Sequence, residues 1–183
     1  MDRSLDEAVR ILKNGGIVIF PTDTAFGIGC RLDNEKAIRK LFELRKRPKE
    51  KAVPVLASSI EMVEDYVEHI EPDVRKLMQK YWPGGLTLVL NCRIEKVPSL
   101  VRGGDKTIGV RIPNHSTVRS LIKNVGVPIL GPSANFSGGK TPFRMSDLHP
   151  ELVRKVDFVL PGRCKIKKPS TVLDVSVRPW RVI

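Results

Sequence analysis

Phe20-Pro21-Thr22-Asp23-Thr24-Ala25-Phe26-Gly27-Ile28-Gly29-Cys30 is the stretch on which the fold turns. It grows out of the apolar, β-prone run Ile17 to Phe20 and empties that strand into hydroxyls, a carboxylate and glycines. Pro21 fixes φ and cannot extend a central ladder, while Gly27 and Gly29 permit backbone approaches that a side chain blocks. Thr22, Asp23 and Thr24 therefore stand at the end of a buried strand, where a ligand can be met. The same residue types also suit an ordinary strand-to-helix turn. Only further polar clusters can decide between the two.

Around this run the periodicities alternate. Ser4 and Glu7 form a capping box ahead of Leu5, Ala8, Val9 and Leu12, which repeat at helical spacing until Gly15-Gly16. Asn34 caps a second helix whose Ala37, Ile38, Leu41 and Phe42 share one face. Ala52 to Ala57 reads as a buried strand, and Ser59 to Glu68 and Pro72 to Tyr81 read as helices. Trp82-Pro83-Gly84-Gly85 breaks the second of these, its indole serving as a packing anchor. Leu86 to Leu90, Thr107 to Ile112, Pro128 to Leu130, Val156 to Leu160 and Thr171 to Val175 have strand character; Ser116 to Lys123 and Ser146 to Val153 read as helices. Several strands between Leu86 and Ile112 lack intervening helices, so this is not a strictly doubly wound sheet. The expectation is an α/β fold with α+β character, a single domain over residues 1–183 with one twisted mixed sheet flanked by helices.

Composition narrows the class. With 183 residues, 41% apolar and 28% charged, the chain can bury a continuous core without staples. No apolar run reaches the ~18 to 20 residues of a membrane span, and Met1-Asp2-Arg3-Ser4 does not begin like a signal peptide, so no membrane partner and a cytoplasmic location are expected. Cys30, Cys92 and Cys164, odd in number and far apart, suit reduced thiols; with His69, His115 and His149 equally scattered, no metal-ligand spacing exists. The net charge of +12 favours an anionic partner without saying which, and equally suits a solvated basic surface.

Three more polar clusters follow. Arg45-Lys46-Arg47-Pro48-Lys49-Glu50-Lys51 sets five cations between a helix and a buried strand, where a polyphosphate could be held by side chains in the absence of a Walker loop. Gly131-Pro132-Ser133-Ala134-Asn135-Phe136-Ser137-Gly138-Gly139 places hydroxyls and an amide on a glycine-rich bend after an apolar strand. Pro169-Ser170-Thr171-Val172-Leu173-Asp174 opens a strand with Ser170. Each alone is also explained by a structural turn.

In this order, the clusters resemble the YrdC-like family of threonylcarbamoyl-AMP synthases across nearly the whole chain. Pro21 to Cys30, Arg45 to Pro48, Trp82 to Val89, Ile108 to Pro113, Ser133 to Gly138 and Ser170 to Asp174 fall where that pattern wants them. The resemblance implies a reaction that joins L-threonine, bicarbonate and ATP into threonylcarbamoyl-adenylate and pyrophosphate, for modification of tRNA, with Mg2+ carried by the ATP. It makes Thr24, Arg111, Ser133 and Ser170 threonine contacts and Arg45, Arg47, Lys51, Thr107, Asn135 and Thr141 nucleotide contacts. Arg47 and Lys51 are its candidates for the catalytic phosphate grip, and Asp23, the one carboxylate in the first cluster, is a weak candidate base.

This sequence departs from the family pattern at three places. Phe26 stands where tyrosine is usual and Arg45 where lysine is usual. The family's C-terminal arginine falls by count just past Ile183, so either the chain is cut one residue short or Arg178 or Arg181 serves. Two other readings stand beside the enzyme. One is a non-catalytic module for tRNA or double-stranded RNA; the other is a carbamoyl-adenylate domain related to hydrogenase-maturation carbamoyltransferase. With aromatic residues at 5%, stacking on RNA has few donors.

Overall fold

The computed structural model describes residues 3–183. Its first helix, α1 (Arg3–Lys13), buries Ala8 and Leu12 and stops at Gly15, whose φ of +81° few side chains tolerate. Ser4 lies inside α1, so it is not the cap; the capping position falls outside the described residues. Glu7 instead pairs with Arg10 along the helix.

The decisive run is a hairpin rather than a strand-to-helix turn. Strand β1 (Val18–Pro21) pairs antiparallel with β2 (Phe26–Gly29), and Pro21 opposite Phe26 is the last rung. Thr22 ties the turn: its hydroxyl donates to the Ala25 carbonyl at 2.7 Å and accepts from the backbone N–H of Thr24 and of Ala25. β1 alternates strictly, with Val18 and Phe20 facing one apolar cluster and Ile17 and Ile19 the other.

Beyond the hairpin come α2 (Glu35–Leu44), capped by Asn34 as expected, β3 (Val55–Leu56), the short α3 (Ile60–Glu64) and α4 (Pro72–Tyr81). Then follow β4 (Leu86–Asn91), α5 (Ser99–Arg102), β5 (Thr107–Arg111), α6 (Ser116–Val125) and β6 (Ile129–Leu130). A 3-10 turn over Met145–Asp147, α7 (Pro150–Lys155), β7 (Phe158–Val159), β8 (Thr171–Asp174) and β9 (Arg181–Val182) complete the order. The helix expected over Ser146 to Val153 is split because Pro150 can begin a helix but cannot sit inside one.

The strands are mixed in direction, as expected, but they form two sheets: β2-β1-β7, and β6-β3-β5-β4-β8-β9. The two are stitched where β2 passes β6, by isolated bridges Gly27 to Ser133 and Arg31 to Ile129 and by Leu130 N–H donating to the Cys30 carbonyl. Gly29 makes that approach possible. A Cβ there would lie 1.8 Å from the Leu130 carbonyl oxygen. Helices α1 and α6 cover one face through Leu12, Val118, Leu121 and Ile122; the main core fills the other, with Trp82 anchored by its indole N–H on the Leu86 carbonyl.

Candidate active site

Three neighbouring strands bring three side chains to one level of the large sheet. Leu56 on β3 is the register partner of Arg111 on β5, and the antiparallel ladder that sets Leu88 against Val110 continues to bring Thr87 on β4 opposite Arg111. Because side chains alternate along a strand, Thr107, Gly109 and Arg111 share a face. Gly109 leaves that face open beneath Pro54 and Thr87.

The hairpin turn folds over this row. Arg111 is only 4% exposed and donates from Nη1 to Thr24 Oγ1 at 2.7 Å and from Nη2 to Asp23 Oδ1 at 2.8 Å. Asp23 is 1% exposed. Its backbone carbonyl accepts from both Lys165 and Ile166 N–H, so the basic segment after β7 is latched onto the same turn. Arg111 Nε and Asp23 Oδ2 are buried with no hydrogen-bond partner among the described residues. Burial is the main influence on Arg111 and pulls its pKa down, with the Asp23 charge opposing it.

Between turn and sheet lies a cavity of about 160 Å³. Thr24, Arg111, Ser133, Thr141 and Ser170 line it, as do Thr22 and Thr87, with Leu56, Pro54 and Phe26 as apolar wall. Arg111 is the one ionisable side chain in that lining; it holds no His, Lys, Asp or Glu. Phe26, in place of the expected tyrosine, therefore contributes ring surface and no hydroxyl.

Five of the anticipated contacts thus meet in one place; the others lie around it. Asn135 sits one layer back: its Oδ1 accepts from Ser133 Oγ at 2.9 Å and from Arg45 Nη2 at 3.1 Å, and its Nδ2 donates to the Gly139 carbonyl. Arg45, 3% exposed, holds that bend from beneath through Nε to the Asn135 carbonyl, and its Nη1 is buried with no hydrogen-bond partner among the described residues. Burial, with the nearby Arg47 charge as the lesser cause, pulls Arg45 down to about 10. Arg47 Nε donates to the Lys51 carbonyl at 2.9 Å, with a second bond to Ala52, which folds the basic loop on itself and leaves the Lys51 side chain in solvent.

Thr107 does not line the cavity. It stands four residues from Arg111 on β5, about 13 Å along the strand at ~3.3 Å per residue. That end of the sheet is where the basic loop lies, since Val53 N–H donates to the Val101 carbonyl and Gly103 packs on the Glu50 backbone. Asp23, the weak candidate base, lies outside the cavity lining and is tied to Arg111 as its counter-ion. Arg178 and Arg181 pair instead with Asp73 and Asp174, and neither joins the lining. Thr87 was missed. Its hydroxyl donates to Ser170 at 2.9 Å, and its place in the stretch Trp82 to Val89, matched above to the family pattern, is the one signal that points to it.

Residues 10–183 match the Sua5_yciO_yrdC family model, whose description is "Telomere recombination". Among curated relatives, the protein of Bacillus subtilis named threonylcarbamoyl-AMP synthase is 31% identical over 176 residues, 96% of this chain and 51% of that protein. One of the same name from Xanthomonas euvesicatoria is 34% identical, with 93% of this chain and 92% of that protein covered. The crystal structure of Pyrococcus abyssi Sua5 complexed with L-threonine superposes with a TM-score of 0.90 at 31% identity, covering 97% of this chain and 52% of that one. The chain spans about half the length of the first curated relatives it matches. Full-length HypF, at 20% identity and a TM-score of 0.83, shares the fold alone. A family match over almost the entire chain, with five of the anticipated residues lining one cavity, leaves one conclusion: the chain belongs to the Sua5/YciO/YrdC family.

Proposed function

We propose that this chain forms threonylcarbamoyl-adenylate and pyrophosphate from L-threonine, bicarbonate and ATP, a transferase step in tRNA modification. The observation that carries the reading is the cavity: one buried guanidinium, a ring of hydroxyls, an apolar wall and no acid in its lining. That set suits a small amino acid whose carboxylate meets Arg111 and whose hydroxyl meets another. The likeness to the threonine complex of P. abyssi Sua5 supports the choice of threonine.

At about 160 Å³ the cavity is smaller than the ~300 to 1,000 Å³ typical of pockets for larger ligands, so it accepts the amino acid while the nucleotide crosses its mouth. The triphosphate then runs toward the basic loop, where Lys51 and Arg47 offset the charge that grows on the departing pyrophosphate. Thr107 lies at that end of β5, and Thr141, Asn135 and Arg45 flank the route. A carbamate oxygen attacks the α-phosphorus and pyrophosphate leaves, without a covalent enzyme intermediate. With no His, Lys, Asp or Glu in the lining to take its proton, the reactive amine is the neutral fraction supplied by solution.

Mg2+ enters with the nucleotide substrate, where it bridges the phosphates and lowers their repulsion. Among the described residues no helix is long and apolar enough to cross a membrane. The proposed site of action is the cytoplasm, on tRNA or with its modifying partners. The test is pyrophosphate release from ATP and labelled bicarbonate. Release that needs threonine supports the proposal; release without threonine contradicts it.

A further inference from the structure

Anion binding needs donors, and most hydroxyl protons round this cavity are already committed. Thr22 donates to the Ala25 carbonyl and Ser133 to Asn135 Oδ1. Thr24 accepts from Arg111 and shares a hydroxyl contact with Thr22. Ser170 differs because Thr87 Oγ1 donates to it, so Ser170 receives a bond and keeps its own proton. Thr87 is 3% exposed on a central strand, and among the described residues Ser170 is the one acceptor for its hydroxyl. A buried hydroxyl does not leave its proton unused when an acceptor is at 2.9 Å.

The two residues also differ in how firmly they are held. Thr87 sits within β4, paired with β5 on one side and β8 on the other. Ser170 ends the segment from Pro161 to Pro169, which has no helix or strand and is exposed except at Cys164. The backbone bond from Thr171 N–H to the Gly85 carbonyl fixes where that segment meets the sheet, but leaves the Ser170 hydroxyl free to rotate. Its orientation is set by Thr87.

We propose that Thr87 is a positioning residue that fixes Ser170 as a hydrogen-bond donor into the cavity, aimed at the anionic end of the amino-acid substrate. This rests on the reading of the cavity as the amino-acid site. Thr87→Val keeps the shape and removes the donor, so Ser170 can spend its proton elsewhere.

The experiment compares steady-state kinetics of Thr87→Val, Thr87→Ser, Ser170→Ala and the double variant Thr87→Val/Ser170→Ala. Loss of a bond to a charged group corresponds to about 10- to 100-fold, so Ser170→Ala should raise KM for threonine by that order. Thr87→Val should raise it about 3- to 10-fold with KM for ATP within twofold of wild type, Thr87→Ser should restore it, and the double variant should be no worse than Ser170→Ala. Thr87→Ala gives the same comparison should valine prevent folding. If Ser170→Ala raises KM but Thr87→Val does not, or if the two effects multiply, the positioning role is overturned while the cavity reading stands. If Ser170→Ala itself leaves KM for threonine unchanged, the cavity reading falls.

Discussion

Replacing Asp23 by asparagine separates two roles that a carboxylate in this position could play. The substitution keeps the size of the side chain and removes the charge opposite Arg111, which would remain buried with Thr24 as its hydrogen-bond partner. Stranding a buried charge costs about 3 to 5 kcal/mol, against about 0.5 to 1.5 for an ordinary hydrogen bond. Arg111 lines a cavity open to ligand, so the lower end, about 3 kcal/mol, is expected. For a domain of this length each kcal/mol moves Tm by ~2 to 4 °C, which gives a fall of roughly 6 to 12 °C. Thermal unfolding followed by circular dichroism measures it, with Asp23→Leu/Arg111→Met as the control that removes both charges. If Asp23 is a counter-ion, Asp23→Asn loses stability, KM for threonine rises, and the double variant regains much of the stability. If Asp23→Asn melts within about 2 °C of wild type and loses kcat alone, Asp23 is the base and the counter-ion assignment is wrong.

Four further outcomes follow from the same geometry. Lys51→Ala, an exposed side chain, should leave Tm unchanged and slow turnover by about 2 to 4 kcal/mol, or 30-fold to nearly a thousandfold; a wild-type rate removes it from the phosphate site. Arg47→Ala should slow turnover and also loosen the basic loop, seen as faster amide exchange at Lys51 and Ala52; unaltered exchange would contradict the fold of that loop. Gly29→Ala drives a Cβ into the Leu130 carbonyl and should cost at least ~1 to 3 kcal/mol in urea unfolding, whereas a neutral result would refute the close approach of β2 and β6. Burial pushes the Cys30 thiol up to about 12, from an unfolded value of 9.0. The folded state therefore holds the proton longer, its contribution is intact below pH 9 and declines between pH 9 and 12 by up to ~1.4 kcal/mol per pH unit. Stability of Cys30→Ala measured across that window should fall less steeply than wild type; parallel curves would refute the assignment.

Much of this arrangement can be read from residue order. Long amphipathic helices such as α2 and α6 and the strands β1, β4, β5 and β8 announce themselves by period, because one face or both must be buried. Strand β2 did not, since Phe26-Gly27-Ile28-Gly29 looks like a glycine turn; yet Phe26, Ile28 and Cys30 alternate with the glycines, and the glycines are there because Phe20 and Leu130 crowd that side. The short elements α5 and β9, of four and two residues, are set by tertiary contacts rather than local preference. At the site, the family resemblance pointed to Arg111, Thr24 and Ser170, but not to Asp23 being consumed as a counter-ion or Asn135 by the bend. Such competition for hydrogen bonds depends on neighbours more than eighty residues away in several cases. Thr87 is the clearest example, a mid-strand residue whose hydroxyl is engaged by Ser170, 83 positions away in the chain.

The central claim is that this one cavity takes the amino acid with its carboxylate on Arg111. A crystal structure of the protein soaked with L-threonine and a non-hydrolysable ATP analogue tests it most directly. The account predicts the threonine carboxylate within hydrogen-bond distance of the Arg111 guanidinium, the Ser170 hydroxyl donating to it, and the triphosphate leading away toward Lys51. Threonine bound elsewhere, or bound here with its carboxylate turned from Arg111, would contradict it.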